Sequence, residues 1–108
     1  MSKIKAIVKS PYDTIGYERM IDNTLETFQN LVGGYIETVP LPSGGILIVN
    51  EEGKLKDLPH NFNIGMPPHY DYVAGTAVVV GRDGEEFCDC PYDKKTWKWM
   101  LEIWGNVV

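Results

Sequence analysis

"VAGTAVVVG", residues 73 to 81, decides the fold. A run of small and β-branched apolar residues held between glycines reads as a strand buried on both faces, so a sheet lies at the centre of the molecule. "RDG" (82–84) is a tight-turn signature, and it leads into "EEFCDC" (85–90) as a hairpin partner. Upstream, "ILIVN" (46–50) is a second continuous apolar strand. "YIETV" (35–39) alternates and joins it through the turn "PLPSGG" (40–45). At the N-terminus "KIKAIV" (3–8) alternates as a half-buried strand with Ile4, Ala6 and Val8 on one face. "KSPYDTIGYERM" (9–20) and "FNIGMPPHYDY" (62–72) carry glycine and proline and read as irregular segments.

Two stretches have helical period. In "IDNTLETFQNLVGG" (21–34), Leu25, Phe28, Leu31 and Val32 form an apolar stripe. Asn23 and Glu26 have the spacing of a capping box, and Gly33 stands where a left-handed stop is wanted. In "YDKKTWKWMLEIWGN" (92–106), Trp97, Met100, Leu101 and Trp104 share one face, Asp93 can cap, and Gly105 ends the period. The expected order is β-α-β-β-β-β-α. That is a single α+β domain over residues 1–108, with a mostly antiparallel sheet of about five strands and two helices on one of its faces.

Composition narrows the function. The 108 residues are 44% hydrophobic and 23% charged, the balance of an ordinary globular chain, with a formal net charge of -5. An acidic chain without a basic run is poorly suited to duplex nucleic acid, where phosphate neutralisation supplies most of the affinity. No apolar run approaches the ~20 residues of a bilayer span, and the N-terminus interleaves charges with its apolar residues, so a cytoplasmic setting is expected. Cys88 and Cys90 are too few and too close for a disulfide framework. With His60 and His69 they match no standard zinc spacing, so no metal is expected, and no cofactor. No glycine cluster has the spacing of a phosphate-binding loop.

The polar stretch "NEEGKLKDLPHN" (50–61) is the part most open to chemistry. Glu51 and Glu52 are adjacent and would face opposite ways on a strand, while Gly53 makes the segment a natural turn. On the C-terminal helix Trp99 lies roughly 200° around from Trp97 and leaves the main stripe. A second aromatic face is the kind of surface that serves a partner or self-association.

"LVGGYIETVPL", "ILIVNEEGKLKDLPHN" and "VAGTAVVVG" together resemble a family of small phage, prophage and plasmid-borne proteins, the domain of unknown function numbered three-eight-four-six. The resemblance rests on Gly34 to Glu37, Asn50 to Lys54, Leu58 to Asn61, and Gly75 to Gly81, and extends over about residues 3 to 88. The tryptophan-rich tail departs from the polar helix usual in that family. The resemblance implies a mobile-element origin and a cytoplasmic setting, and it supplies no activity. The leading expectation is a non-enzymatic binding protein, homo-oligomeric, that sequesters a nucleotide-like immune signal in a counter-defence role. If the ligand is a small anion, Arg82, Lys54 and the amides around Gly53 would hold it, with Asn50, Asn61 and Tyr35 adding polar or stacking contacts. One alternative is an inhibitor of a host enzyme acting through Trp97, Trp99 and Trp104. Another is a small nucleotide hydrolase using Glu51, Glu52 or His60.

Overall fold

In a computed structural model that describes residues 2–108, the valine run sits mid-sheet. The strands are β1 (Lys3–Lys9), β2 (Tyr17–Asp22), β3 (Ile36–Pro40), β4 (Gly45–Asn50), β5 (His60–Ile64), β6 (Asp71–Ala74), β7 (Ala77–Asp83) and β8 (Glu86–Cys88). The helices are α1 (Leu25–Val32) and α2 (Lys94–Ile103). The main sheet runs β2-β1-β7-β4-β3, with β8 paired to the far end of β7, and every pairing is antiparallel. β5 and β6 form a separate two-stranded ribbon. The result is an α+β domain with one more strand in its main sheet than the sequence reading gave.

Each face of the central strands has its own core. Ile46, Ile48, Val78 and Val80 pack with Ile4, Ala6, Val8, Phe28 and Val32, so α1 covers this face. Leu47, Val49, Val79 and Ile7 pack with Phe62, Val73, Trp97, Met100 and Leu101, so α2 and the β5–β6 ribbon cover the other. The helices therefore lie on opposite faces, not on one. That is what uninterrupted apolar runs in β4 and β7 require, because a run without alternation needs cover on both sides. All of β4 is buried, as the continuous "ILIVN" run demanded.

Four further expectations change. The 73–81 run is two strands, broken at Gly75, whose φ of +83° turns the chain out of the ribbon and into the main sheet. Residues 17–20, read as part of a loop, and 21–22, read at the head of a helical stretch, form the edge strand β2, in full register with β1 from Lys3↔Asp22 to Val8↔Tyr17. Only Ile21 of β2 is buried, so the strand has almost no hydrophobic pattern to announce it. Residues 62–64 and 71–72 belong to the ribbon, and the irregular reading holds only for the loop between them. The α1 cap is Thr24, whose Oγ1 accepts from Thr27 N at 3.2 Å. Asn23 is diverted to donate to Phe87 O at 2.9 Å. Asp93 caps α2 as read, accepting from Thr96 N at 2.7 Å, and that bond holds its carboxyl below the usual range.

Candidate functional site

The β5–β6 ribbon rests on the same sheet face as α2 and leaves a cleft of about 340 Å³ beside β3. Its floor is apolar, made by Val39, Leu47 and Val49 of the sheet with Ile64 and Val73 of the ribbon. The rim is polar: Glu37 comes from β3, Glu51 and Lys54 from the turn after β4, and Asp71 and Tyr72 from β6. The floor exists because β4 alternates its buried residues between the two cores. The rim exists because the 51–57 turn must pass over the ribbon. Gly53 makes that passage possible, since a Cβ there would stand 2.8 Å from the Ala74 carbonyl oxygen.

The rim is net acidic, with Glu37, Glu51 and Asp71 against Lys54. Lys54 is already engaged. Its Nζ donates to Asp71 Oδ1 and stands 4.6 Å from the centre of the Tyr72 ring. The pairing raises the Lys54 pKa and holds the Asp71 carboxyl below its usual range, the hydrogen bond between them being the main cause in both. Tyr72 also stacks on His60, with ring centres 5.5 Å apart, while His60 Nε2 lies 2.9 Å from Asn63 Oδ1. Glu52 leans back to Lys56 at 3.9 Å, so it does not converge with Glu51 on the cleft.

Of the residues singled out from sequence, Asn50, Gly53 and Lys54 come together at this cleft and Tyr35, Asn61 and Arg82 do not. Asn50 is buried, and its side chain is spent on structure: Nδ2 donates to Val32 O at 3.1 Å and Oδ1 accepts from Glu52 N at 2.8 Å. The amides proposed as an anion cradle are spent as well, with Gly53 N donating to Asn50 O and Glu51 N to Tyr35 O. Tyr35 is exposed beside Gly34 and Lys56 in a different, shallow groove. Arg82 is exposed on the β7–β8 hairpin and donates from Nε to Gly84 O at 2.7 Å. Asn61 is buried against Lys9. An anion-binding group assembled from these six residues is therefore not what the fold builds. Glu37, Asp71 and Tyr72 were missed: Glu37 lies in a family motif that gives it no role, and the ribbon brings Asp71 and Tyr72 over the sheet from far along the chain.

On α2 the expected split is observed. Trp97, Met100, Leu101 and Trp104 are buried, and Trp99 is 59% exposed. Trp97 and Trp104 are core residues packed with Phe62, with ring centres 5.7 and 6.3 Å from it, so of the three tryptophans it is Trp99 that presents an exposed ring. Trp97 Nε1 donates to Ile15 O at 2.8 Å, which satisfies the buried indole. Cys90 lies beyond β8 and is buried, its thiol pKa pushed up by burial, and Cys88 is half-buried. No group of three His, Cys, Asp or Glu with metal-binding geometry occurs among the described residues. Among them, too, no helix is long and apolar enough to cross a membrane.

Fold and cleft together define a small α+β domain with a ribbon-roofed pocket at the edge of its sheet. The chain belongs to the family described as Domain of unknown function (DUF3846), which matches residues 4–102. The match reaches residue 102 and so takes in all but the last residue of α2, the helix expected to depart from the family. No curated protein and no solved structure matches the chain.

Proposed function

We propose that this is a non-enzymatic binding protein whose ribbon-roofed cleft holds the flat, largely apolar head of a small ligand, a nucleobase-like ring being the chemistry it fits best. The observation that carries the reading is the pairing of an apolar floor with a rim of carboxylates. The floor favours a planar ring, while Glu37 and Glu51 can accept from ring N–H or exocyclic amino groups. Among the described residues the rim has one ammonium, and it is shared with Asp71, so a phosphate gains little there and would stay outside. A nucleotide would therefore enter base first. Within the mobile-element setting that the family resemblance implies, sequestration of a nucleotide-like immune signal is the role this supports.

Calorimetry and thermal shift with nucleosides and their mono-, di- and cyclic nucleotides test this. The expected result is saturable binding in which a nucleoside binds as tightly as its nucleotide. Glu37→Gln should weaken binding on the order of tenfold, the size of one charged hydrogen bond. Heating the complex should release the ligand intact, whereas turnover would mean an enzyme. Absence of binding by every member to folded protein overturns the reading.

A second reading rests on Trp99 and Ile103, exposed together on α2 beside Pro42. Lys94, Lys95 and Lys98 occupy the same helix and form no ion pair among the described residues. This surface supports an inhibitor that docks on a host protein. Pull-down with wild type and Trp99→Asp separates the two, since identical recovery by both removes the surface from consideration.

A further inference from the structure

We propose that the exposed side of α2 is a self-association surface, on which a second copy of the chain packs its own α2 antiparallel with Trp99 at the two-fold axis. Lys95, Trp99 and Glu102 stand at i, i+4 and i+7 and are all exposed, Trp99 at 59%. At 3.6 residues per turn, Lys95 and Glu102 lie about 20° apart around the helix, and Trp99 lies about 40° to one side of Lys95. Ile103 continues that apolar side, where a cleft of about 250 Å³ runs between the helix and Pro42 and Ser43. From its N-terminal to its C-terminal end the seam is therefore cation, indole, carboxylate.

That order works against a lone helix, which is stabilised by carboxylates at its N-terminus and cations at its C-terminus. In α2, Lys94, Lys95 and Lys98 crowd the first half, with no acidic residue in the first turn and no basic residue in the last. Lys98 and Glu102 are also in the weaker of the two i,i+4 orders. Asp93, the cap, feels Lys95, but its carboxyl is spent on the Thr96 amide. None of the three lysines nor Glu102 forms an ion pair among the described residues. An antiparallel copy reverses the disadvantage, because it sets each Glu102 beside the lysine-rich end of the other helix. With the two-fold at Trp99, a rise of 1.5 Å per residue brings Lys95 and the partner's Glu102 to within about 2 Å of the same height, on the same flank. Two charge pairs then run along one side of paired indoles, with Ile103 along the other. The surface is its own complement under a two-fold, which is the condition for an isologous interface. The ten residues of α2 span about 15 Å. Such a contact is smaller than the roughly 800 Å² per partner of a standard interface, so the dimer is weak and concentration-dependent.

The surface shares no residue with the lining of the ribbon-roofed cleft, so the inference is independent of ligand binding there. It gives the surface of the host-protein reading a different occupant. Sedimentation equilibrium of the full chain from the micromolar to the millimolar range tests it. Wild type should show a reversible monomer–dimer equilibrium. Lys95→Glu and Glu102→Lys, each checked for fold by circular dichroism, should each weaken dimerisation on the order of tenfold, since either change acts twice across the two-fold. The double variant carrying both changes restores the pairs with their signs exchanged and should recover the dimer. Trp99→Asp should leave monomer. A wild type that stays monomeric throughout overturns the proposal and leaves the host-protein reading to its own pull-down. A dimer that neither single charge change weakens, or a double variant no stronger than the singles, overturns it as well.

Discussion

Asn61 holds three groups at once: the Lys9 ammonium, the Lys9 carbonyl and the Gly75 carbonyl. Around it, Gly75 N donates to Pro59 O at 2.8 Å, and a Cβ on Gly75 would stand 2.8 Å from Leu58 Cδ1. Leu58, Pro59, Asn61 and Gly75, all among the residues by which the family is recognised, thus form one contact set. Asn50 makes a second, joining the end of α1 at Val32 to the 51–57 turn, with Gly34 so close that a Cβ would stand 2.9 Å from Asn50 Nδ2. At two of these motif positions, Asn50 and Asn61, the side chain satisfies backbone groups of a neighbouring element. Asn61→Ala strands two buried carbonyls and an ammonium. The expected cost is about 2 to 3 kcal/mol in urea unfolding, since orphaned buried partners carry their full desolvation penalty. A loss under about 0.5 kcal/mol would mean that water replaces the amide without difficulty. Lys54→Met, by contrast, removes an exposed pair and should change stability by less than about 1 kcal/mol.

At the scale of elements, α2 is where periodicity was most informative. The Trp97, Met100, Leu101 and Trp104 spacing names the buried face, and Trp99 leaves it as the 100° step requires. Trp97→Ala should therefore destabilise by about 3 to 5 kcal/mol, the range for an aromatic lost from a packed core. Trp99→Ala should stay within about 0.5 kcal/mol. Thermal unfolding of both variants checks the contrast, and equal losses would contradict the packing. β7, β4, β3 and the β7–β8 hairpin were equally legible, since local patterning marks them. β2 was not, because an edge strand with one buried residue is held by its ladder with β1. The β5–β6 ribbon was hidden for a related reason. His60–Ile64 is short, and it becomes a strand only when Phe62 packs against Trp97 and Trp104 from the far end of the chain. The cleft depends on that ribbon, so the turn residues Asn50, Gly53 and Lys54 could be found from sequence while Glu37, Asp71 and Tyr72 could not.

Across the whole molecule, the lowered surface carboxylates Asp71 and Asp93 set the pH dependence at the acid end, and the buried charge at Lys9 sets one at the alkaline end. Burial lowers the Lys9 pKa below its ordinary 10.5. Between the folded and unfolded values the unfolded chain keeps a proton that the folded chain has released, so stability rises with pH across that window. Below the window the folded chain bears the full cost of a buried ammonium. Cys90 and Tyr92 act in the opposite sense. Burial raises both above their ordinary 9.0 and 10.0, so the stability they contribute is complete below those values and is lost as pH rises through the folded ones. The wild type alone thus gives a mixed slope. Lys9→Met keeps Cys90 and Tyr92 in place and adds only a pH-independent cost for the unpaired Asn61 Oδ1. The stability difference, wild type minus Lys9→Met, should therefore climb in urea unfolding across the window that begins at the lowered folded value and ends at the ordinary 10.5. A difference flat across the whole range would mean that Lys9 keeps its ordinary proton affinity in the folded chain. The ammonium would then be far better solvated than its 3% exposure allows.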